Sequence, residues 1–291
     1  MLDEVLRFLI CPRCGASLAR DGGSLRCPAG HVFDVARQGY VSLLPAGQKG
    51  ISGDTAAMVL ARESFLAAGH LDHVAAELVR SAARGGRGVT GDACVADVGA
   101  GTGHYLAAVL DELPDRGGLA LDASKFALRR AARAHARIGA VGCDVRCALP
   151  VADGAAAVVL NVFAPRNGAE FRRILAPGGQ LIVITPTPAH LSELIGVLGL
   201  LTVDQDKQQR LARTLDPHFT RTEKRDISRP VALSRADIMA AVMMGPSAWH
   251  ADPLAFEARI ADLPDPLEVT LSVTLSCYRR SDRRAAASGR R

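Results

Sequence analysis

Val95-Ala96-Asp97-Val98-Gly99-Ala100-Gly101-Thr102-Gly103 is a short apolar run, interrupted by one acid, that opens into three glycines at alternate positions. Apolar residues through Val98 suit a buried parallel strand, and glycines directly after it let the backbone turn sharply and approach a ligand at the start of the next helix. The stretch therefore predicts the strand, turn and helix start of a cofactor site in an α/β domain. A nicotinamide or flavin fingerprint requires Gly-x-Gly-x-x-Gly, with its third glycine where helix meets strand. Here the spacing is Gly-x-Gly-x-Gly, and His104 stands where that third glycine belongs. The spacing favours S-adenosylmethionine over a dinucleotide. A glycine-rich turn without a ligand is the plain alternative.

Downstream of the loop the chain repeats the same logic. Gly118 to Leu121 reads as a second strand with Asp122 at its carboxyl end, where an acid can accept both ribose hydroxyls of an adenosine. Ile138 to Cys143 reads as a third, followed by Asp144, well placed for an adenine amino group. Ala155 to Phe163 is a fourth, and it runs into Asn161-Val162-Phe163-Ala164-Pro165, whose polar and aromatic residues lie beside the transferable methyl in such an architecture. Glu170 to Leu175 is a helix, Pro177-Gly178-Gly179 a turn, and Gln180 to Thr185 a fifth strand. Alternating strands and helices with ligand-type residues at successive strand ends predict a Rossmann-like parallel sheet with its site along the carboxyl edge.

Beyond the fifth strand comes Thr185-Pro186-Thr187-Pro188-Ala189-His190-Leu191-Ser192-Glu193-Leu194. Two prolines fix a turn before a helix, and His190 and Glu193 sit one helical turn apart on one face. They are candidates for proton transfer or for holding a base edge, with plain surface positions as the alternative. Helices are expected near Asp206 to Leu215 and Ser234 to Met244. His218 to Ile227 and Leu267 to Tyr278 are expected to pair as an antiparallel hairpin at the sheet edge.

Upstream, Cys11-Pro12-Arg13-Cys14 is followed by Cys27 and His31. Two close pairs of sulfur and imidazole ligands separated by a short spacer are the ligand set of a tetrahedral structural zinc, closed to water. A redox CxxC would open a helix after a strand, a pattern absent here. Residues 1 to 45 thus read as a zinc ribbon too small to fold without its metal. Phe33 to Pro45 closes the ribbon's core, although Arg37, Gln38 and Tyr40 also have the chemistry to face unpaired bases and phosphates. Residues 46 to 53 are glycine-rich and polar. Asp54 is expected to cap a helix ended by Gly69, and a second helix to run from Leu71 to Arg80. The domain boundary falls near residue 85, giving a connector over 46 to 85 and the sheet domain over 86 to 278.

The net charge of +5 is accounted for by residues 279 to 291, which hold six arginines and one aspartate. That segment reads as a disordered tail, either merely solvated or a loose RNA tether. Lys125, Arg129, Arg130, Arg133 and Arg137 make one helix basic, as a solvated face or an RNA-facing stripe. Met1 to Ile10 lacks the basic start of a signal peptide, and no apolar run reaches the length of a membrane span. The expected location is cytoplasmic, without a membrane partner.

Taken together, these motifs resemble the guanine-N1 methyltransferases of 23S ribosomal RNA, the zinc-ribbon family that includes the tylosin-resistance methylase. The resemblance rests on Cys11 to Cys14, Cys27 with His31, Phe33 to Pro45, Asp54 through His70, Asp97 to Tyr105, Leu121 to Lys125, Ala164-Pro165 and Thr185 to Leu194. It implies a class I S-adenosylmethionine-dependent methyltransferase sheet of seven strands behind a ribbon that helps to recognise a hairpin in domain II of the large-subunit RNA. It further implies methyl transfer to guanine N1 and a contribution to macrolide resistance. Asp97, Gly99, Gly101, Gly103, His104, Tyr105, Asp122 and Asp144 become the cofactor residues. His190, Glu193 and Asn161 become the catalytic candidates, although Asn161 stands where some relatives carry a basic residue. A homodimer is left open. The competing functions are a small-molecule methyltransferase with the ribbon as a lid, and a non-enzymatic RNA binder.

Overall fold

The computed structural model describes residues 2–44, 53–200, 213–245 and 253–281. The expected helix over Asp206 to Leu215 lies almost wholly outside them, as does most of the arginine-rich terminus.

The main sheet has eight strands, in the order β10-β11-β9-β8-β5-β6-β7-β4. In chain order these are β4 (Val41–Ser42), β5 (Cys94–Val98), β6 (Gly118–Asp122), β7 (Ile138–Gly142), β8 (Ala156–Val162), β9 (Leu175–Pro186), β10 (Phe219–Leu233) and β11 (Leu267–Arg280). Strands β5 to β9 are parallel, and β11 and β10 join antiparallel on the β9 side. The chain steps outward from β5 through β6 to β7, then returns to the other flank of β5 as β8. That reversal opens a crevice at the carboxyl ends of β5 and β8, where α/β sheets bind ligands. The doubly wound sheet is the class I methyltransferase fold expected.

Strand periodicity separates two apolar layers. Val95, Ala120, Val158 and Leu160 face one core with α3 (Asp72–Gly86), α4 (His104–Glu112) and α5 (Lys125–Ala134). Ala96, Leu119, Leu121 and Val159 face the other, with Phe171 and Ile174 of α6 (Gly168–Ile174). This second core also contains Leu2 and Val5 of α1 (Leu2–Val5), and Leu18, Leu25 and Val41 of the ribbon.

The ribbon's own sheet is antiparallel, from β1 (Ala19–Asp21), β2 (Ser24–Arg26) and β3 (Val32–Asp34). The chain then crosses into the large sheet. Val41 and Ser42 pair in parallel with Val141 and Gly142, and the Leu43 N–H donates to Gly142 at 2.8 Å. Ribbon and sheet share one core, so the metal is not the ribbon's only support. The seven strands expected become eight for the same reason.

Several expected boundaries move. Residue 85 lies inside α3, not at a junction, because Gly85 and Gly86 are buried and let the helix press against β8 and β9. A Cβ on Gly86 would meet Val158 at 3.7 Å. The cap of α2 (Ala56–Ala67) is Thr55, whose hydroxyl accepts the Met58 N–H, while Asp54 pairs with Arg62. Pro177-Gly178-Gly179 is a bulge within β9, between the pairs Ala156 with Leu175 and Val158 with Gln180. The helix after the two prolines is α7 (Ser192–Leu198), and His190 lies in the turn before it rather than on the same helix as Glu193. The edge hairpin is longer than expected. It incorporates Arg279 and Arg280, which donate to the Gly179 and Leu175 carbonyls at 3.2 and 3.0 Å. The helix expected from Ser234 is found as α8 (Arg235–Met243), closed by a reciprocal Ser234–Asp237 cap. No helix among the described residues is long and apolar enough to cross a membrane.

Candidate active site and metal centre

The glycine loop leaves β5 as predicted. Gly99, Gly101 and Gly103 all have left-handed φ, at 85°, 55° and 80°, a region costly to other residues. Gly99 has a second reason to be glycine, since a Cβ there would run into the Ala164 side chain. The loop and the turn after β8 therefore lie against each other.

Asp97 is 1% exposed, and its Oδ1 has no hydrogen-bond partner among the described residues. Burial, reinforced by the Asp122 charge, pushes its carboxyl up to about 8. The Tyr105 hydroxyl is likewise buried and unpartnered, and burial raises it. A buried acceptor and a buried hydroxyl without partners suit a ligand that brings cationic and polar groups of its own. S-Adenosylmethionine carries both. Burial lowers the His104 imidazole at the first position of α4.

Asp122 closes the loop from the next strand. Its two oxygens accept the Gly101 and Ser124 N–H groups, each at 2.8 Å, leaving further lone pairs for a ligand. Burial still raises it. Asp144 is engaged differently. Arg146 clamps both carboxylate oxygens, at 2.9 and 3.0 Å, and holds the acid below its ordinary value. A ligand amino group would have to share Asp144 with that guanidinium.

Sequence reasoning missed the cover of this loop. Asp54 pairs with Arg62, the Ser124 hydroxyl donates to the Asp54 carbonyl at 2.6 Å, and Arg62 reaches the Met244 carbonyl at 2.8 Å. A Cβ on Gly101 would stand 3.4 Å from the Arg62 guanidinium. The start of α2 is thus laid over the glycine loop, a long-range contact with no local sequence signal.

Each of the three catalytic candidates has a main-chain partner, although Asn161 Oδ1 has none among the described residues. Asn161, fully buried, donates through Nδ2 to the Val98 carbonyl at 3.0 Å and the Pro165 carbonyl at 2.9 Å. Glu193 accepts the N–H and hydroxyl of Thr270, at 3.0 and 2.5 Å, and these bonds hold it low against a partial burial that would raise it. It is a strand anchor. His190 Nδ1 accepts the Ser272 N–H at 3.1 Å. Burial pushes the imidazole down to about 4, and a main-chain N–H can only donate, so the neutral ring carries its proton on Nε2. Together with Thr187, whose hydroxyl bonds Ser272 at 2.7 Å, these residues stitch the turn after β9 to β11.

The basic helix is not a continuous stripe. Arg130 pairs with Glu63 at 3.1 Å, Arg137 donates to the Leu113 and Pro114 carbonyls at 2.7 Å, and Lys125 and Arg129 flank the Phe126 ring.

At the other end, the ligand atoms of Cys11, Cys14, Cys27 and His31 all lie within 4.8 Å of one another. Cys27 Sγ and Cys11 Sγ lie 3.3 and 3.5 Å from His31 Nδ1, and the Cys14 and Cys27 sulfurs are 3.6 Å apart. Two tight turns present them, with Gly15 donating to Cys11 and Gly30 to Cys27. Thiolate and imidazole ligands of tetrahedral zinc, each roughly 2.0–2.3 Å from the metal, stand about this far apart. The donor set fits zinc.

The zinc-ribbon family model described as "RlmA, N-terminal" matches residues 9–51. A 23S rRNA (guanine(748)-N(1))-methyltransferase of Streptomyces fradiae is 49% identical over 279 residues, covering 96% of this chain and 99% of its own length. A Micromonospora griseorubida protein, provisionally designated a 23S rRNA (guanine-N(1)-)-methyltransferase, is 51% identical with the same coverage of both chains. The Bacillus subtilis protein YxjB, of the same provisional designation, is 31% identical over 90% of this chain. With cofactor loop, ribbon and near-full-length likeness in agreement, this chain belongs to the 23S ribosomal RNA (guanine-N1)-methyltransferase family.

Proposed function

We propose that the protein transfers a methyl group from S-adenosylmethionine to N1 of a guanine in a hairpin of domain II of 23S ribosomal RNA, in the cytoplasm. The observation that carries this reading is the joining, in one core, of a Cys3His ribbon to a sheet whose glycine loop leaves Asp97 and Tyr105 unpartnered. S-Adenosylmethionine supplies the electrophilic methyl when bound. Asp97, Gly99, Gly101, Gly103, His104, Tyr105, Asp122 and Asp144 are the residues to hold it, and Cys11, Cys14, Cys27 and His31 hold a structural zinc. N1 lies on the Watson–Crick edge, so the guanine must be unpaired or flipped to react. The protein's part is to orient that edge towards the methyl group. Methylation of this kind contributes to tylosin-type resistance in this reading.

Primer extension on 23S RNA tests it, because an N1-methyl group blocks reverse transcription. A stop in domain II that appears with the gene, and is lost with an Asp97→Ala variant, is the expected result. Methyl transfer that persists after ribonuclease treatment would instead indicate a small-molecule substrate.

A further inference from the structure

The carboxyl end of β8 carries an aromatic residue that the cofactor loop does not explain. Phe163 follows Val162 with φ 54°, in the left-handed region, and the residue is 43% exposed. Backbone strain and an exposed ring both cost free energy, and they fall on the same residue. Its position is fixed. The Phe163 N–H donates to Ile184 at 3.1 Å, and the next residue, Ala164, packs against Gly99 of the cofactor loop. The His190 ring stands beside it, with centroids 6.2 Å apart and planes 33° from parallel. His190 in turn is oriented by Ser272, which leaves Nε2–H as its remaining donor.

We propose that Phe163 is the platform on which the target guanine stacks, and that His190 Nε2–H donates to the guanine O6. A stacked base laid on an exposed ring gains affinity without regard to sequence, and a donor at its rim adds selectivity. The chemistry favours this assignment over proton removal by His190. As N1 loses its proton to water, negative charge spreads onto O6. The N1 electron pair then forms the bond to the methyl carbon, while the carbon–sulfur bond breaks and its electrons pass to sulfur. A fixed neutral donor at O6 stabilises the developing anion. A ring whose Nε2 already bears a proton cannot accept another there.

This inference rests on the guanine-N1 reading, and single-turnover methylation of a 23S RNA hairpin by the full-length zinc-loaded protein separates the two. If that reading fails, the wild-type protein gives no N1 product. If the wild type is active, His190→Ala is expected to lose about 10²-fold in rate, and His190→Gln, which keeps an N–H donor, to recover at least about 10-fold of it. Phe163→Leu is expected to raise the KM for RNA about 10-fold with cofactor affinity unchanged, and Phe163→Tyr to recover most of it. His190→Gln as slow as His190→Ala, or Phe163→Leu with wild-type KM, would overturn the proposal. Calorimetric S-adenosylmethionine binding and thermal melting of each variant exclude misfolding as the cause.

Discussion

Asn161 Nδ2 donates to the Val98 carbonyl at 3.0 Å, tying the last residue of β5 to the strand beside it where the glycine loop begins. The same nitrogen reaches Pro165 at 2.9 Å. Loop and turn are therefore held as one piece. Asn161→Leu removes both bonds and is expected to cost about 1–3 kcal/mol, lowering the melting midpoint and S-adenosylmethionine affinity together. Denaturant unfolding and calorimetry check this. Turnover lost at unchanged stability and affinity would place Asn161 on the substrate instead.

Asp97 makes stability depend on pH in an unusual direction. Its folded pKa of about 8 lies above the ordinary carboxyl value of 3.8, so between these values the folded chain holds a proton that the unfolded chain releases. Stability of the cofactor-free protein is expected to fall as pH rises from about 4 to about 8 and then to level off. Asp97→Asn is expected to raise the melting midpoint at about pH 8, by the equivalent of a few kcal/mol on the order of 1.4 per pKa unit, and to match wild type near pH 4. A cationic ligand favours the ionised form, so wild-type affinity for S-adenosylmethionine is expected to climb between about pH 6 and pH 8. The asparagine variant should bind weakly, without that slope.

Glu193 accepts both Thr270 donors and is held low. Such a carboxylate is a poor proton acceptor at neutral pH. Glu193→Gln is expected to leave the single-turnover rate within about 3-fold of wild type and to cost about 1 kcal/mol of stability. Because the folded pKa is depressed, that contribution is present above the ordinary carboxyl value of 4.5 and is lost as pH falls through the folded one. A rate loss of about 100-fold with normal melting would restore Glu193 to the reaction.

Zinc removal reports on the shared core. Leu18, Leu25 and Val41 of the ribbon pack in the same cluster as Ala96 and Leu121 of the sheet. Chelation, or Cys14→Ser, is expected to lower the melting midpoint of the whole protein in one transition, with loss of one zinc per chain by elemental analysis. Two resolved transitions would mean that ribbon and sheet unfold independently.

The contrast among these residues explains what the sequence could and could not carry. The glycine spacing after Val98, the acids at strand ends and the Cys/His pairs are local patterns, each tied to one backbone geometry or one ion, and they led directly to loop and metal centre. Asn161, His190 and Glu193 look alike in a sequence whether they face a substrate or the chain's own backbone. Their partners, Val98, Ser272 and Thr270, lie 63, 82 and 77 positions away. Phe163 was legible as an aromatic residue but not as a strained one, since φ is decided by the strand on either side. The two-residue β4 gave no periodicity at all, and Arg279 and Arg280 looked like tail because charge hides pairing.

That short strand has a mechanical consequence. Val41 and Ser42 are hydrogen-bonded into the same sheet that presents the glycine loop, so the ribbon is joined to that sheet by paired backbone and does not swing on a hinge. The distance from ribbon to glycine loop is set when the chain folds, as between the jaws of a locked caliper. On the proposed function, a guanine one nucleotide closer to or farther from the ribbon would fall outside that span, and selection among neighbouring guanines would become a matter of length.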